Sequence, residues 1–148
     1  MSSELFRLTR EIRVWATVVW VECYGPNEEN LESGISEVID FLERVDFLFS
    51  PFISRSEVAK LRRNEIQIYD CDTLVQEVWN LCLTARELTE GAFDPWAVKD
   101  GFDPSGYVKG WAADKAIEIL KSHGATSIQV NAAGDISVAG GFEGGPWK

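Results

Sequence analysis

Histidine is almost missing from this chain: His123 is the sole imidazole among 148 residues. It precedes Gly124 after a helical stretch, so it reads as a capping residue, and a Ser-His-Asp arrangement is excluded as the source of any chemistry. Cysteine is scarce as well. Cys23, Cys71 and Cys82 form no CxxC pair and lack metal-ligand spacing. Each sits among apolar residues, which reads as a reduced, packed thiol in a reducing compartment. Long hydrophobic runs are absent too. Val14 to Val21, the longest early one, falls far short of the ~20 residues of a membrane span, and Met1 to Arg7 carries no basic leader or cleavage site. The cytoplasm is therefore the expected location, without membrane insertion. Positive charge is in deficit, with 14 Lys and Arg against 24 Asp and Glu, a formal net charge of −10. Such a surface repels phosphodiester backbones and anionic headgroups, which excludes nucleic acid as a partner class. It is compatible with docking a basic protein, or with holding a divalent cation between an acidic site and a nucleotide. No repeat, heptad array or low-complexity tract is present.

What is there suits one domain, or one domain and part of another. The apolar share is 45%, and a chain of this size should bury roughly two-thirds of its unfolded surface. Six tryptophans and eight phenylalanines supply large bodies for a core or for a ring-binding surface. Glu11 to Tyr24, rich in Val, Trp and Thr, reads as a buried strand with two strands' worth of length. From Leu31 to Leu48 apolar residues recur at three and four, the stripe of an amphipathic helix. A short helix is expected over Ser56 to Arg63, capped by Ser54 or Ser56, and a brief strand over Ile66 to Tyr69. Asp72 is a suitable N-cap for a helix with stripe Leu74, Val75, Val78, Leu81, Cys82, Ala85 and Leu88, closed by Glu90-Gly91. A further helix is expected from about Val108 to Ser122. Two strands, Ile128 to Asn131 and Ile136 to Ala139, flank an Ala-Ala-Gly turn. The tail from Gly140 to Lys148 reads as a glycine-rich loop.

Two Asp-Pro turns, Asp94-Pro95 and Asp103-Pro104, bracket a Gly101 break. Pro104, Ser105 and Gly106 read as a tight turn before a helix, so backbone N–H groups converge at a helix N-terminus and favour an anion, with Lys109 in the first turn adding a cation. Asp103 would accept hydrogen bonds from a ribose or ring nitrogen, or simply cap the helix. Gly91 and Ala92 allow close approach to the backbone, with Phe93 packing or stacking and Asp94 fixing a turn; an ordinary turn explains the same residues. Asp114 reads as a solvated helix-face charge.

Taken together these segments resemble the ApbE family of FAD:protein FMN transferases. The resemblance is carried by Leu88-Thr89-Glu90-Gly91-Ala92-Phe93-Asp94-Pro95, by Asp103-Pro104-Ser105-Gly106-Tyr107-Val108-Lys109-Gly110-Trp111-Ala112-Ala113-Asp114, and by Asn131-Ala132-Ala133-Gly134-Asp135. Upstream, Phe49 to Val58 is similar to a Phe-Ser-x-Tyr-x-x-x-Ser-x-Val segment, and Trp15-Ala16-Thr17 stands where the family has Met-Gly-Thr. The match runs from about Arg13 to Trp147.

The resemblance implies an α+β fold, ApbE-like (T-fold-like), with a mixed or antiparallel sheet and packed helices, incomplete at the C-terminus. Residues 1–148 would form the N-terminal portion of a flavin transferase domain whose C-terminal portion is absent. The implied reaction is Mg²⁺-dependent transfer of FMN from FAD to a Thr or Ser hydroxyl of an acceptor protein, with release of AMP. The alternatives are a non-catalytic FAD-binding module and an acidic domain whose aromatic groove binds protein. The implied FAD contacts are Trp15, Phe52, Ala92, Phe93, Asp94, Asp103 and Lys109, and the Gly106 carbonyl is the implied Mg²⁺ ligand. Phe52 and Trp15 depart from the family's tyrosine and methionine, and Ala133 replaces a glycine.

Overall fold

The computed structural model describes residues 4–99, 101–142 and 145–146. The chain divides into two compact units, one drawn from Met1–Glu43 and Lys109–Lys148, the other Arg44–Val108.

The first unit is built on a four-stranded antiparallel sheet: β1 (Phe6–Val14), β2 (Thr17–Gly25), β3 (Ser127–Ala132) and β4 (Asp135–Ala139), in that spatial order. Alternation explains the pairing. Leu8, Ile12 and Val14 on β1, Val19, Val21 and Cys23 on β2, and Ile128, Val130 and Ala132 on β3 all turn to one buried face. The opposite face leaves Trp20, Ile136 and Val138 exposed. α1 (Glu28–Phe49) starts behind an Asn27 side chain that accepts from the Asn30 N–H at 2.9 Å. Its buried stripe in this unit is Leu31, Ile35, Val38 and Leu42, as the periodicity predicted. α4 (Ser105–Ser122) buries Ala112, Ala113, Ala116, Ile117 and Leu120. Small residues bring the two helices close. A Cβ at Gly34 would lie 3.0 Å from His123 Cβ and 3.2 Å from Leu120 Cδ2. His123 also does more than end α4, because its Nε2 lies 3.0 Å from Glu37 Oε2.

The strand expected from Glu11 to Tyr24 is two strands, and the first begins at Phe6. They are joined by Trp15-Ala16, both in the left-handed region with φ 58° and 54°, the signature of a two-residue type I′ hairpin made without its usual Asn or Gly. The β3–β4 turn repeats the device with Ala133 at φ 54° and Gly134 at φ 98°, and the Asn131 Oδ1 accepts from Gly134 N–H at 2.9 Å. A glycine at position 133 would adopt this left-handed conformation without strain. Ala133→Gly is expected to stabilise the chain by about 1 kcal/mol, since an L-residue in this region costs that much. A urea midpoint that stays put or falls would contradict it.

In the second unit, α2 (Glu57–Arg62) is capped by Ser56, not Ser54: Ser56 Oγ accepts from Ala59 N–H at 3.0 Å and donates to the Ser50 carbonyl at 2.6 Å. Ile66 to Tyr69 is not a strand. Ile68–Asp70 forms a 3₁₀ turn running into the cap of α3 (Thr73–Leu88). Asp72 Oδ1 accepts from Leu74 N–H at 2.9 Å, and the Asp72 carboxylate also pairs with Arg44. Burial works to raise its pKa, but the cap hydrogen bond and the Arg44 guanidinium hold it below the ordinary carboxylate value. Val75, Val78 and Cys82 are the buried members of the α3 stripe, whereas Leu88 is 80% exposed. The tail is not all loop: β5 (Gly141–Phe142) pairs with β6 (Gly145–Pro146). Residues 1–3, 143–144 and 147–148 of the predicted leader-free start and tail lie outside the described residues. No described helix is long and apolar enough to cross a membrane.

Candidate functional site

Phe52, Ala92, Phe93, Asp94, Asp103 and Gly106 all lie in the Arg44–Val108 unit, whereas Trp15 and Lys109 belong to the other. The local geometry begins at the end of α3. Thr89 Oγ1 donates to the Ala85 carbonyl at 2.8 Å and accepts from Phe93 N–H at 2.9 Å. Glu90 and Gly91, at φ 52° and 86°, reverse the chain. Ala92 is exposed, and a Cβ added at Gly91 would meet nothing within 4 Å, so the turn presents open backbone. Asp94 Oδ1 accepts from Trp96 N–H at 3.0 Å and stands 3.9 Å from Arg86 Nη1.

The second turn is sewn to the first. Asp103 N–H donates to the Pro95 carbonyl at 2.8 Å, so the two Asp-Pro bends share one hydrogen bond. Asp103 Oδ1 accepts from Ser105 N–H at 3.0 Å and Ser105 Oγ at 2.6 Å. That makes Asp103 the N-cap of α4 with Pro104 at the first helical position, where its missing N–H costs nothing. The helix consequently starts three residues before the predicted Val108. Lys109 falls in its second turn rather than its first. A side chain at Gly106 would begin 3.9 Å from Phe93 Cε2, and the Phe93 and Tyr107 ring centroids are 6.2 Å apart. Phe93, Asp94, Asp103 and Gly106 are therefore brought together.

What holds the two turns in place went unread in the sequence. Trp79, Trp96 and Phe102 pack with centroids 5.0 Å (Trp79–Trp96), 4.8 Å (Trp79–Phe102) and 5.1 Å (Trp96–Phe102) apart. The Arg86 guanidinium lies 4.6 Å over the Trp96 ring. The available signal was the density of large rings on both sides of the turns. Phe52 stands apart from this cluster: it is 92% exposed, its backbone N–H held by Ser50 Oγ at 3.2 Å.

In the other unit, Trp15 sits in the left-handed hairpin turn with its Nε1 buried and unpartnered. An unmet buried donor of this kind costs about 1–3 kcal/mol and calls for an explanation. Asp114 is exposed, as expected of a helix-face charge, and accepts from Ser137 Oγ at 2.7 Å.

Two chemistries can be judged from the side chains. The cysteines are free and buried, and burial pushes each thiol up to about 11, so none is a thiolate nucleophile near neutral pH. For Mg²⁺, no three His, Cys, Asp or Glu side chains converge among the described residues. The Gly106 carbonyl lies inside α4, where carbonyls are engaged along the helix. One such oxygen does not fit an ion that demands near-octahedral oxygen ligation.

The fold is α+β, a four-stranded antiparallel sheet with packed helices, and it is that of the ApbE flavin transferases. A model of the ApbE family matches residues 97–148. Among solved structures, the flavin transferase ApbE from Vibrio cholerae superposes with a TM-score of 0.74 at 17% identity, over 94% of this chain and 60% of its own. The flavinyl transferase ApbE of Pseudomonas stutzeri, in its apo form, gives 0.74 at 17% identity over 95% and 60%. The ApbE protein of Thermotoga maritima gives 0.72 at 18% identity over 94% and 60%. A search of curated proteins finds no match. The resemblance to the ApbE family thus holds in motif and in fold, and the chain spans about 60% of the length of these structures.

Proposed function

We propose that this chain is the N-terminal, FAD-binding portion of an FAD:protein FMN transferase, completed by a C-terminal portion. The observation that carries the reading is the single cradle made by the two Asp-Pro turns, with Asp103 N–H on the Pro95 carbonyl at 2.8 Å and Phe93 against Gly106. Phe93 and the exposed Phe52 offer ring faces to a flavin or adenine. The carboxylates of Asp94 and Asp103 offer acceptors to ribose or ring donors, and Ala92 presents open backbone. In the reaction, a Thr or Ser hydroxyl oxygen of an acceptor protein forms a bond to the FMN phosphorus. The pyrophosphate P–O bond breaks, AMP leaves, and the hydroxyl proton is lost to solvent. The reading includes Mg²⁺, held chiefly by groups outside this chain.

The test begins with binding. FAD at a hundred times its dissociation constant should stabilise the chain by about 2.7 kcal/mol, a rise in melting temperature of roughly 5–11 °C at this size. With Mg²⁺ and a complementing C-terminal polypeptide, a threonine-bearing acceptor should gain the mass of FMN. No melting shift with FAD would sink the reading. A shift without AMP release under the complemented conditions would instead identify a non-catalytic FAD-binding module.

A further inference from the structure

Arg62, Arg63 and Lys99, with Pro51 and Ala59, line a cleft of about 590 Å³ within the Arg44–Val108 unit. None of these five residues is among those assigned to the flavin cradle. Three cations line this one cleft although the chain's formal net charge is −10, and Arg63 is paired there with Glu65 at 2.8 Å. Arg62 and Arg63 have a local reason to be there: they close α2, and cations favour a helix C-terminus. Lys99 has none. It reaches the cleft from the loop between the two Asp-Pro turns.

The geometry around Arg63 is built rather than loose. Its Nη2 donates to the Ser54 carbonyl at 2.6 Å and to Glu65 Oε2 at 2.8 Å, which orients the guanidinium and leaves its other edge available. The Arg62 stem runs past Gly101, where an added Cβ would lie 4.0 Å from Arg62 Cγ. Guanidinium groups match phosphate oxygens in a planar fork, and a lysine ammonium adds a point charge. Pro51 and the buried Ala59 give the cleft an apolar wall. Its volume lies in the range of small-molecule sites, roughly 300–1,000 Å³. A polyanion is a poor occupant, since the acidic remainder of the surface repels an extended chain of phosphates.

We infer that this cleft is a binding site for a phosphate-bearing small molecule, separate from the flavin cradle. Arg62 and Arg63 grip the phosphate oxygens, Lys99 closes the third side, and Pro51 with Ala59 receives any uncharged part. The inference stands whether or not the chain binds FAD.

Pyrophosphate and AMP, each titrated calorimetrically into the full chain, test it. Pyrophosphate should bind one to one, and Lys99→Glu and Arg62→Gln should each weaken it about tenfold, while Phe52→Ala leaves it unchanged. AMP binding tighter than pyrophosphate marks a nucleotide as the source of the phosphate; equal or weaker binding marks a free oxyanion. Lys99 is exposed, so Lys99→Glu decides the matter even should Arg62→Gln fail to fold. The inference is overturned by no binding of either probe at millimolar concentration, or by binding that Lys99→Glu leaves intact. FAD titrated in parallel keeps the two sites apart: weaker FAD binding in Phe52→Ala with pyrophosphate affinity retained separates cradle from cleft.

Discussion

Trp96→Ala is expected to lower the free energy of unfolding by about 3 kcal/mol, the low end for removing an aromatic side chain from a packed cluster. The ring touches three partners at once: Trp79 edge-on at 5.0 Å, Phe102 stacked at 5.1 Å, and the Arg86 guanidinium at 4.6 Å. The loss is large against a total stability of ~5–15 kcal/mol for a domain. The consequence extends beyond stability, because Trp96 sits between the two turns and its own N–H is bound by Asp94 at 3.0 Å. With the ring gone, Asp94 and Asp103 lose the support that keeps them on one cradle. The melting shift with FAD should therefore shrink more than the stability loss alone accounts for. Urea unfolding monitored by the remaining tryptophans measures the first effect as a lower midpoint at unchanged slope. A variant within 0.5 kcal/mol of the parent would show that the cluster is not what holds the turns. Trp96→Phe, which keeps a ring against Phe102, should recover most of both effects.

The parts of this architecture that could be read from sequence are those where a short-range rule acts alone. α1 and α3 were legible because apolar residues recur at the helical period and because Asp72 is a strong cap. The β3–β4 hairpin was legible from two apolar runs around a Gly-containing turn. The β1–β2 hairpin was only half legible: its turn, Trp15-Ala16, lacks Gly, Asn and Asp, and the charges at Arg7, Arg10 and Glu11 hide an alternation that buries Leu8 and Ile12. Ile66 to Tyr69 alternates over four residues, too few to tell a strand from a 3₁₀ turn when Asp72 begins a helix close behind. The start of α4 was displaced because Asp103-Pro104 reads equally as a turn and as N-cap plus first helical residue; only the Ser105 bonds to Asp103 decide. The candidate site was legible as motifs and opaque as an assembly. Nothing local announces that Asp103 N–H finds the Pro95 carbonyl, or that Trp79, sixteen residues before Pro95 on α3, supplies the floor. Those contacts are tertiary, and no period or cap encodes them.

Phe52→Ala isolates ligand binding from folding more cleanly than any substitution within the cradle. Asp103, Asp94 and Gly106 all carry structural hydrogen bonds or close packing, so removing them moves stability and binding together. Phe52 is 92% exposed, and its backbone is held by Ser50 whatever its side chain. A surface truncation of this kind should leave stability within about 0.5 kcal/mol. Were the ring a stacking platform for flavin or adenine, as proposed, its loss would cost about 1–3 kcal/mol of affinity, roughly five- to 150-fold in the FAD dissociation constant. Phe52→Tyr keeps the ring face, adds a phenolic hydroxyl, and should bind FAD at least as tightly as the parent. Fluorescence quenching of FAD, read beside the urea midpoint of each variant, separates the cases. Equal FAD affinity in Phe52→Ala and the parent would remove Phe52 from the site. A fall in affinity that tracks a fall in stability would show instead that the exposed ring matters to the fold. Only weaker binding at unchanged stability, restored by tyrosine, is what a solvent-facing aromatic platform produces.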